Sequence, residues 1–545
     1  MDATTSPEAL AKKLDQIARR WGDDHFDEQI GLIYFAHPKN LHMSGAGGHL
    51  LRESAYYAYL LLRTGQEQDR RRASKILGLV LSKQNLDHTS PYWAGFTCEF
   101  EQEWETWEHP DQNWTQFLGM SFAYVLQWDL DAPCLEDDLR AQLGEAFRLT
   151  VLGTIRRDVH PEYTNIALLS AAVAAAGDRL QRVEGAEAFA WQKLAEVRAR
   201  AEPSTTFDEY LSPTYYGADL FSLYSAVRFA RTERVRSSAQ RLLDLLWDDI
   251  ERAYHPPTFQ LGGPQSRAYG EDMVAYAALI KFYLFLALEG NYPVDAAGTD
   301  HSHDCQALAI ISTHRVERRL SAVPRKASFH RVSLPAWAHG KAKVLSQYQD
   351  ETFSLGTVSE EDNWSQRRNL LFYWRAEPGG FVGIGKGWFV HEQKEEFNRA
   401  MFFSSQWKTS VLVGLRVAVA DAPDGAFCYR LEFNAAARQV PDSRRLDLPG
   451  LELEVVPIAI SGPGSDPRLE VTGGSGSMTR LEWRWQPAAA SIRFYEGAFV
   501  LAFKPAGVSD PPRVTGAGSH VDGGAVDLTA TVDGEPLTLT MPVSE

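Results

Sequence analysis

Through the first 300 positions, apolar residues recur with the roughly 3.6-residue period of helices that bury one face. The pattern predicts helices over 7–22, 49–64, 69–84, 113–127, 135–157, 165–177, 185–202, 213–231, 233–254 and 267–289. They are of two kinds. Segments 114–126, 166–176, 218–229 and 274–288 are apolar nearly all round, whereas 135–157 and 233–252 carry a charged face. A helix apolar on every side is buried, and one with a charged face lies outside it. Buried and surface helices therefore alternate. The buried ones start near Asn113, Asn165, Pro213 and Arg267, roughly 50 residues apart, the length of one helical hairpin. Successive antiparallel hairpins of this kind close into an (α/α) toroid whose inner helices run parallel, so their N-termini meet at one rim.

Beyond 295–303 the period changes. Short β-rich runs near 343–348, 370–374, 451–456, 480–485, 491–495 and 537–541 are bounded by Gly, Pro and Asp. Segments 461–477 and 505–524 are rich in Gly, Ser, Pro and Asp and read as loops. The expected fold is a multidomain α+β chain. An incomplete (α/α) toroid occupies 1–300, and an antiparallel β-sandwich occupies 305–545.

Composition narrows the function. The net charge of −16 over 545 residues argues against nucleic acid and other polyanion-binding roles. The four cysteines, Cys98, Cys134, Cys305 and Cys428, are scattered, so no zinc site or disulfide framework is indicated. No run approaches a membrane span, and the first residues lack a secretory signal pattern. A cytoplasmic protein is expected, or a secreted one if a signal has been trimmed.

The segments entering the buried helices are polar and aromatic. They are 101–114 with Trp107, Asn113 and Trp114; 160–165 with His160, Tyr163 and Asn165; 208–216; and 262–272 with Gln265, Arg267 and Tyr269. A glycine-rich stretch, 42–49, ends in His49 and lacks the lysine of a phosphate loop. In 212–217, Ser212 suits an N-cap and Pro213 the first helical position. Tyr215 and Tyr216 then fall in the first turn, where the helix dipole and Arg267 are expected to favour a phenolate. Converging at one mouth, these side chains form a cleft suited to a carbohydrate: aromatic faces for sugar rings, amides and Arg for hydroxyls and carboxylates. Each also has a plain structural reading. Asn113 and Asn165 fit N-caps, Trp107 and Trp114 fit the core, Asp208 and Glu209 fit dipole-favoured surface carboxylates, and Arg267 can pair with Glu271 on one helix.

In this arrangement the chain resembles the toroid-plus-β-sandwich polysaccharide lyases, the heparinase II/III-like and alginate-lyase-like group. The resemblance implies cleavage of a uronate-containing glycan by β-elimination, without cofactor or metal. By position, Asn165, with His160 nearby, matches the residue that neutralises the uronate carboxylate. Tyr215 or Tyr216 matches the tyrosine acid, sometimes also the base. His391 is the best match for a histidine base from the β domain, with His330, His339 and His314 as further candidates. Arg267 is a second carboxylate clamp. The chain lacks an adjacent Asn-His pair, and its doubled tyrosine leaves the acid open. Two other classes stay open. One is a glycoside hydrolase pairing Glu209 or Asp208 with Asp111, Glu105 or Glu271. The other is a non-catalytic glycan-binding protein.

Overall fold

The computed structural model describes residues 6–36, 47–107, 110–276, 278–294, 302–323, 326–336, 342–375, 380–391, 400–419, 427–439, 444–460, 467–473, 478–485, 494–508, 510–522 and 525–542. Its helices are α1 (Pro7–His25), α2 (Leu51–Arg63), α3 (Glu67–Leu81), α4 (Asn113–Asp131), α5 (Asp137–Arg157), α6 (Thr164–Gln181), α7 (Ala186–Ser204), α8 (Tyr215–Phe229), α9 (Glu233–Ala253), α10 (Leu279–Ala287) and α11 (Leu308–Ile311). Helices α2, α4, α6, α8 and α10 touch in succession as the inner layer, and α3, α5, α7 and α9 return outside them. The sequence explains the layering. α6 is Ala- and Leu-rich and buried from Thr164 through Asp178, so it has neighbours on every side. α9 buries a Val235, Leu242, Leu246, Ile250 stripe and turns its charges outward. This is an (α/α) toroid, incomplete because α10 has no outer helix of its own among the described residues. The 3-10 turn Ser302–Ala307 and α11 pack on α1 and α2, where Gln306 Nε2 donates to the Ala18 carbonyl at 2.7 Å and Arg63 Nη1 to that of Ala309 at 2.8 Å. Helical structure thus runs past 305, the expected start of the second domain.

One helix start differs from expectation. Residues 267–276 are not helical, and α10 begins at Leu279. The reason is that backbone groups in and beside this stretch are taken by partners remote along the chain: the Met273 N–H donates to Gln260 Oε1 at 2.9 Å and the Glu271 carbonyl accepts from the Tyr373 hydroxyl at 2.8 Å. The Gln265 and Arg368 backbones exchange hydrogen bonds at 3.1 and 2.9 Å, and the Ala268 N–H donates to the Gln366 carbonyl at 2.7 Å. Groups spent on that pairing are unavailable to a helix.

The second half is antiparallel β-structure. One eight-stranded sheet runs in the order Arg468–Gly473, Thr479–Trp485, Phe427–Phe433, Val382–His391, Leu370–Arg375, Phe353–Val358, Lys343–Gln349, Ser328–Leu334. A seven-stranded sheet faces it, in the order Arg438–Gln439, Arg445–Leu448, Leu451–Ile458, Phe494–Pro505, Ser410–Ala418, Ala400–Trp407, Glu360–Asp362. Phe372, Trp374, Phe402, Leu415, Phe499 and their neighbours fill the space between. A third sheet, Val514–Asp522, Ala525–Val532 and Glu535–Met541, covers the outer face of the second. The expected loops 461–477 and 505–524 therefore carry strands, Arg468–Gly473 and Val514–Asp522. The latter is largely exposed and broken by a bulge between Thr515 and Gly518, so its sequence lacks an alternating apolar signal.

The outer face of the eight-stranded sheet rests on the toroid. Strand Phe353–Val358 is buried at every position, as a strand covered on both faces must be. Gly356 permits the approach, because a Cβ there would lie 1.7 Å from the Gly263 carbonyl oxygen. Gln347 and Gln349 donate across the junction to the carbonyls of Gly263 (2.9 Å) and Ala253 (2.7 Å). Among the described residues no helix is long and apolar enough to cross a membrane.

Candidate active site

The start of α8 is tied to the loop 262–272. Ser212 Oγ accepts the Tyr215 N–H at 3.1 Å and donates to the Arg267 carbonyl at 2.6 Å. This is the hydrogen bond expected of a capping Ser212, although α8 begins at Tyr215 rather than at Pro213, and it also fixes Arg267 beside Tyr215. The Arg267 guanidinium lies 4.3 Å from the Tyr215 ring centre, 5.0 Å from that of Trp364 and 5.9 Å from that of Tyr163. Its Nε–H donates to Gln366 Oε1 at 3.1 Å. The Tyr215 hydroxyl meets the Tyr269 hydroxyl at 2.7 Å, and Tyr269 is exposed.

Behind this group sits Glu209, only 6 % exposed. Its Oε2 accepts from the backbone N–H and Nδ2 of Asn165 at 2.9 and 2.7 Å, and its Oε1 from Arg267 Nη1 at 3.3 Å. Burial raises its pKa, against the pull of Arg267 and Asn165. Burial also raises the Tyr215 phenol well above its usual value, the neighbouring Tyr269 adds to this, and Arg267 opposes it without prevailing. The phenolate expected from dipole and cation is therefore not favoured. Desolvation of the charged form outweighs them, and Tyr215 holds its proton at neutral pH.

The cleft between toroid and sandwich has a volume of about 260 Å³ and is lined by Glu209, Tyr210, Arg267, Trp364 and Arg367 among others. A wider hollow of about 540 Å³ adjoins it, walled by His160, Glu162, Tyr163 and Glu209. Most carboxylates here are held by cations. Asp208 pairs with Arg200 at 3.1 Å, and Glu361 with Lys343 and Arg367. Asn113 is the first residue of α4 rather than its cap; its amide donates to the Tyr163 hydroxyl at 3.0 Å and accepts from Arg157 at 2.7 Å.

Residues 12–315 match the family described as "Domain of unknown function (DUF8769)". The chain belongs to that family. No curated protein matches. Among solved structures the chain is similar to heparinase III, at 11 % identity over 100 % of this chain and 92 % of that one, with a TM-score of 0.46. It is similar also to the chondroitin AC lyase of Streptomyces coelicolor A3, at 12 % identity over 98 % and 94 %, TM-score 0.46. A Paenibacillus xanthan lyase matches at 10 % identity over 97 % and 65 %, TM-score 0.45. The DUF8769 match takes in Asn165, Glu209, Tyr215, Arg267 and Tyr269 and stops short of Trp364.

Other expected site residues within the DUF8769 region lie elsewhere. Tyr216 is fully buried; its hydroxyl donates to Asp249 Oδ2 at 2.5 Å, and Phe207 packs edge-on against its ring. The second phenol of the pair is thus a core group. Trp114 and Trp107 belong to an apolar cluster with Phe35, Leu50 and Cys98, and the Arg52 guanidinium covers Trp114 at 4.5 Å. His49 is buried between Asp27 (3.2 Å) and Glu101. Gln265 is buried at the domain junction, where Nε2 donates to the Leu261 carbonyl at 2.9 Å. Glu271 pairs with Arg368 (2.7 Å) and Lys386 (2.9 Å), not with Arg267. Asp111 accepts the Asn113 N–H at 3.0 Å, and Glu105 is exposed.

The histidines separate likewise. His160 is exposed on the wider hollow, 3.7 Å from Glu162. His314 is a core imidazole between the hydroxyls of Tyr124 and Tyr283, each at 2.8 Å, and burial lowers its pKa to about 3. His391 is buried at the end of its strand opposite Phe427; His330 is exposed on strand Ser328–Leu334. His339, and residues 42–46 of the glycine-rich stretch, fall outside the described residues. Sequence reasoning missed Trp364, Gln366 and Arg367. Their signal was a tryptophan beside two arginines in a short break between β-runs.

Proposed function

We propose that the protein is a carbohydrate-active enzyme that cleaves a uronate-containing glycan by β-elimination, with Tyr215 as the acid. The observation that carries this reading is the Tyr215 phenol, 2.7 Å from the Tyr269 hydroxyl and under the guanidinium of Arg267, a residue that lines the cleft. In the reaction a base removes the C5 proton and the C4–O4 bond breaks. A C4–C5 double bond forms, and the leaving O4 takes the Tyr215 proton. Arg267 then sits where it offsets the phenolate and the charge on the substrate carboxylate. Glu209 shares Arg267 with Tyr215, and its raised pKa makes it a stronger base than an ordinary carboxylate, so it is our candidate for the C5 proton. Asn165 orients it through two hydrogen bonds.

One observation favours a second reading. A buried carboxyl with a raised pKa also suits the general acid of a glycoside hydrolase, and Glu209 is such a group. The two differ in product and in mutant. Elimination leaves an unsaturated, ultraviolet-absorbing end and is lost in Tyr215→Phe. Hydrolysis leaves new reducing ends without that absorbance and survives in Tyr215→Phe but not in Glu209→Gln.

A further inference from the structure

Beside the cleft the toroid carries a second hollow, about 250 Å³ in volume, formed by the loop 91–95, the start of α4 and the end of α5. Tyr92, Trp93, Gln116, Arg156 and Arg157 are among its lining residues. Arg157 is half-buried and forms no ion pair among the described residues. Its guanidinium donates to two neutral amides, Gln116 Oε1 at 3.2 Å and Asn113 Oδ1 at 2.7 Å. Trp93 hides its indole N–H without an acceptor among the described residues, and the Arg156 guanidinium lies 5.8 Å from its ring centre. Tyr92 is stacked on Trp104, ring centres 5.5 Å apart.

A half-buried guanidinium whose hydrogen bonds go to neutral amides, with Asp111 acting on it only from beyond ion-pair contact, gains from an anion that can accept two parallel hydrogen bonds. Aromatic walls with a few placed polar groups are the usual make-up of a ligand pocket. The hollow also connects to the cleft through one side chain. Asn113 accepts from Arg157 on one side and donates to the Tyr163 hydroxyl on the other, and Tyr163 walls the wider hollow at the cleft.

We infer that this hollow is a distal subsite for an acidic glycan, taking a carboxylate or sulfate at Arg156 and Arg157 with a sugar face on Trp93. It rests on the reading of the cleft as a glycan site. It implies that the enzyme grips an acidic unit beyond those at the scissile bond, and so prefers longer acidic chains.

The test is calorimetric binding in the Tyr215→Phe background, where substrate is not consumed. Probes are tetra- and octasaccharides of alginate (carboxylate only), of chondroitin sulfate (carboxylate and sulfate) and of cellulose (neutral). An acidic octasaccharide is expected to bind more tightly than its tetrasaccharide. Arg156→Ala should remove that gain, weakening the octasaccharide on the order of tenfold while leaving the tetrasaccharide unchanged. Trp93→Leu should act in the same sense. A gain confined to the sulfated series assigns the anion as sulfate, and a gain in both as carboxylate. The subsite is refuted if no acidic octasaccharide binds, if cellulose binds equally, if the gain survives Arg156→Ala, or if both lengths weaken alike. Failure of the elimination reading shows separately, as no unsaturated product from the wild type, and leaves the binding comparison to decide the subsite.

Discussion

Tyr215 and Tyr216 are adjacent in sequence and opposite in environment. A helix turns about 100° per residue, so the two neighbours leave α8 in different directions. Tyr215 meets Tyr269 and Arg267, while Tyr216 points at Asp249 between α8 and α9. The sequence showed the pair but not the facing, because both neighbours of the helix are remote in sequence. Tyr216→Phe should therefore retain turnover and lose about 1–3 kcal/mol of stability, the cost of a buried hydrogen bond to a charged acceptor, as measured by denaturant unfolding. Asp219, one turn beyond Tyr215, offers a pH test. It is fully buried, neither oxygen has a partner among the described residues, and burial, then Glu209, raises its pKa well above the usual range. The unfolded chain loses this proton first, so the group costs stability once pH exceeds its unfolded pKa, increasingly as pH rises. Asp219→Asn should melt above the wild type at neutral pH, with the gap closing as pH falls towards about 4. A gap that does not change with pH would show that Asp219 carries no such burden.

The hairpin period gave the inner helix starts at 113 and 165 and near 213, because burial on all sides leaves a plain apolar signature. It failed at 267, where the residues look helical but backbone groups of Ala268, Glu271 and Met273 are taken by Gln366, Tyr373 and Gln260. Long-range pairing leaves no local trace, and the same blindness hid Trp364. Close helix approach is equally silent. A Cβ at Gly217 would stand 2.3 Å from the Ile280 backbone nitrogen and 2.5 Å from Leu279 Cβ. Gly217→Ala gains up to about 1 kcal/mol in helix propensity. It should nevertheless destabilise the protein by about 1–3 kcal/mol by forcing α8 from α10, read as a lowered unfolding midpoint. An unchanged or raised midpoint would mean the two helices separate freely.

The change from helical to strand periodicity announced two kinds of architecture, and the structure has both. What it could not announce is that both hold one loop. The loop carrying Arg267 and Tyr269 is held on one side by Ser212 of the toroid and on the other by Gln366 and Arg368 of the sheet domain. Loosening the junction should then reach the chemistry. Gly356→Val, which forces strand Phe353–Val358 away from Gly263, should lower turnover more than it lowers substrate affinity. Steady-state kinetics on the folded variant checks this.

The claim that Tyr215 is the acid of an elimination is tested most directly by ultraviolet absorbance of the unsaturated product. Wild type, Tyr215→Phe and Tyr216→Phe would be compared on uronate-containing and neutral glycans. The account predicts product from uronate-containing glycans alone, near-normal rates for Tyr216→Phe, and a fall on the order of a hundred- to ten-thousandfold for Tyr215→Phe. Wild-type rates from Tyr215→Phe, or new reducing ends without the absorbance, would contradict it.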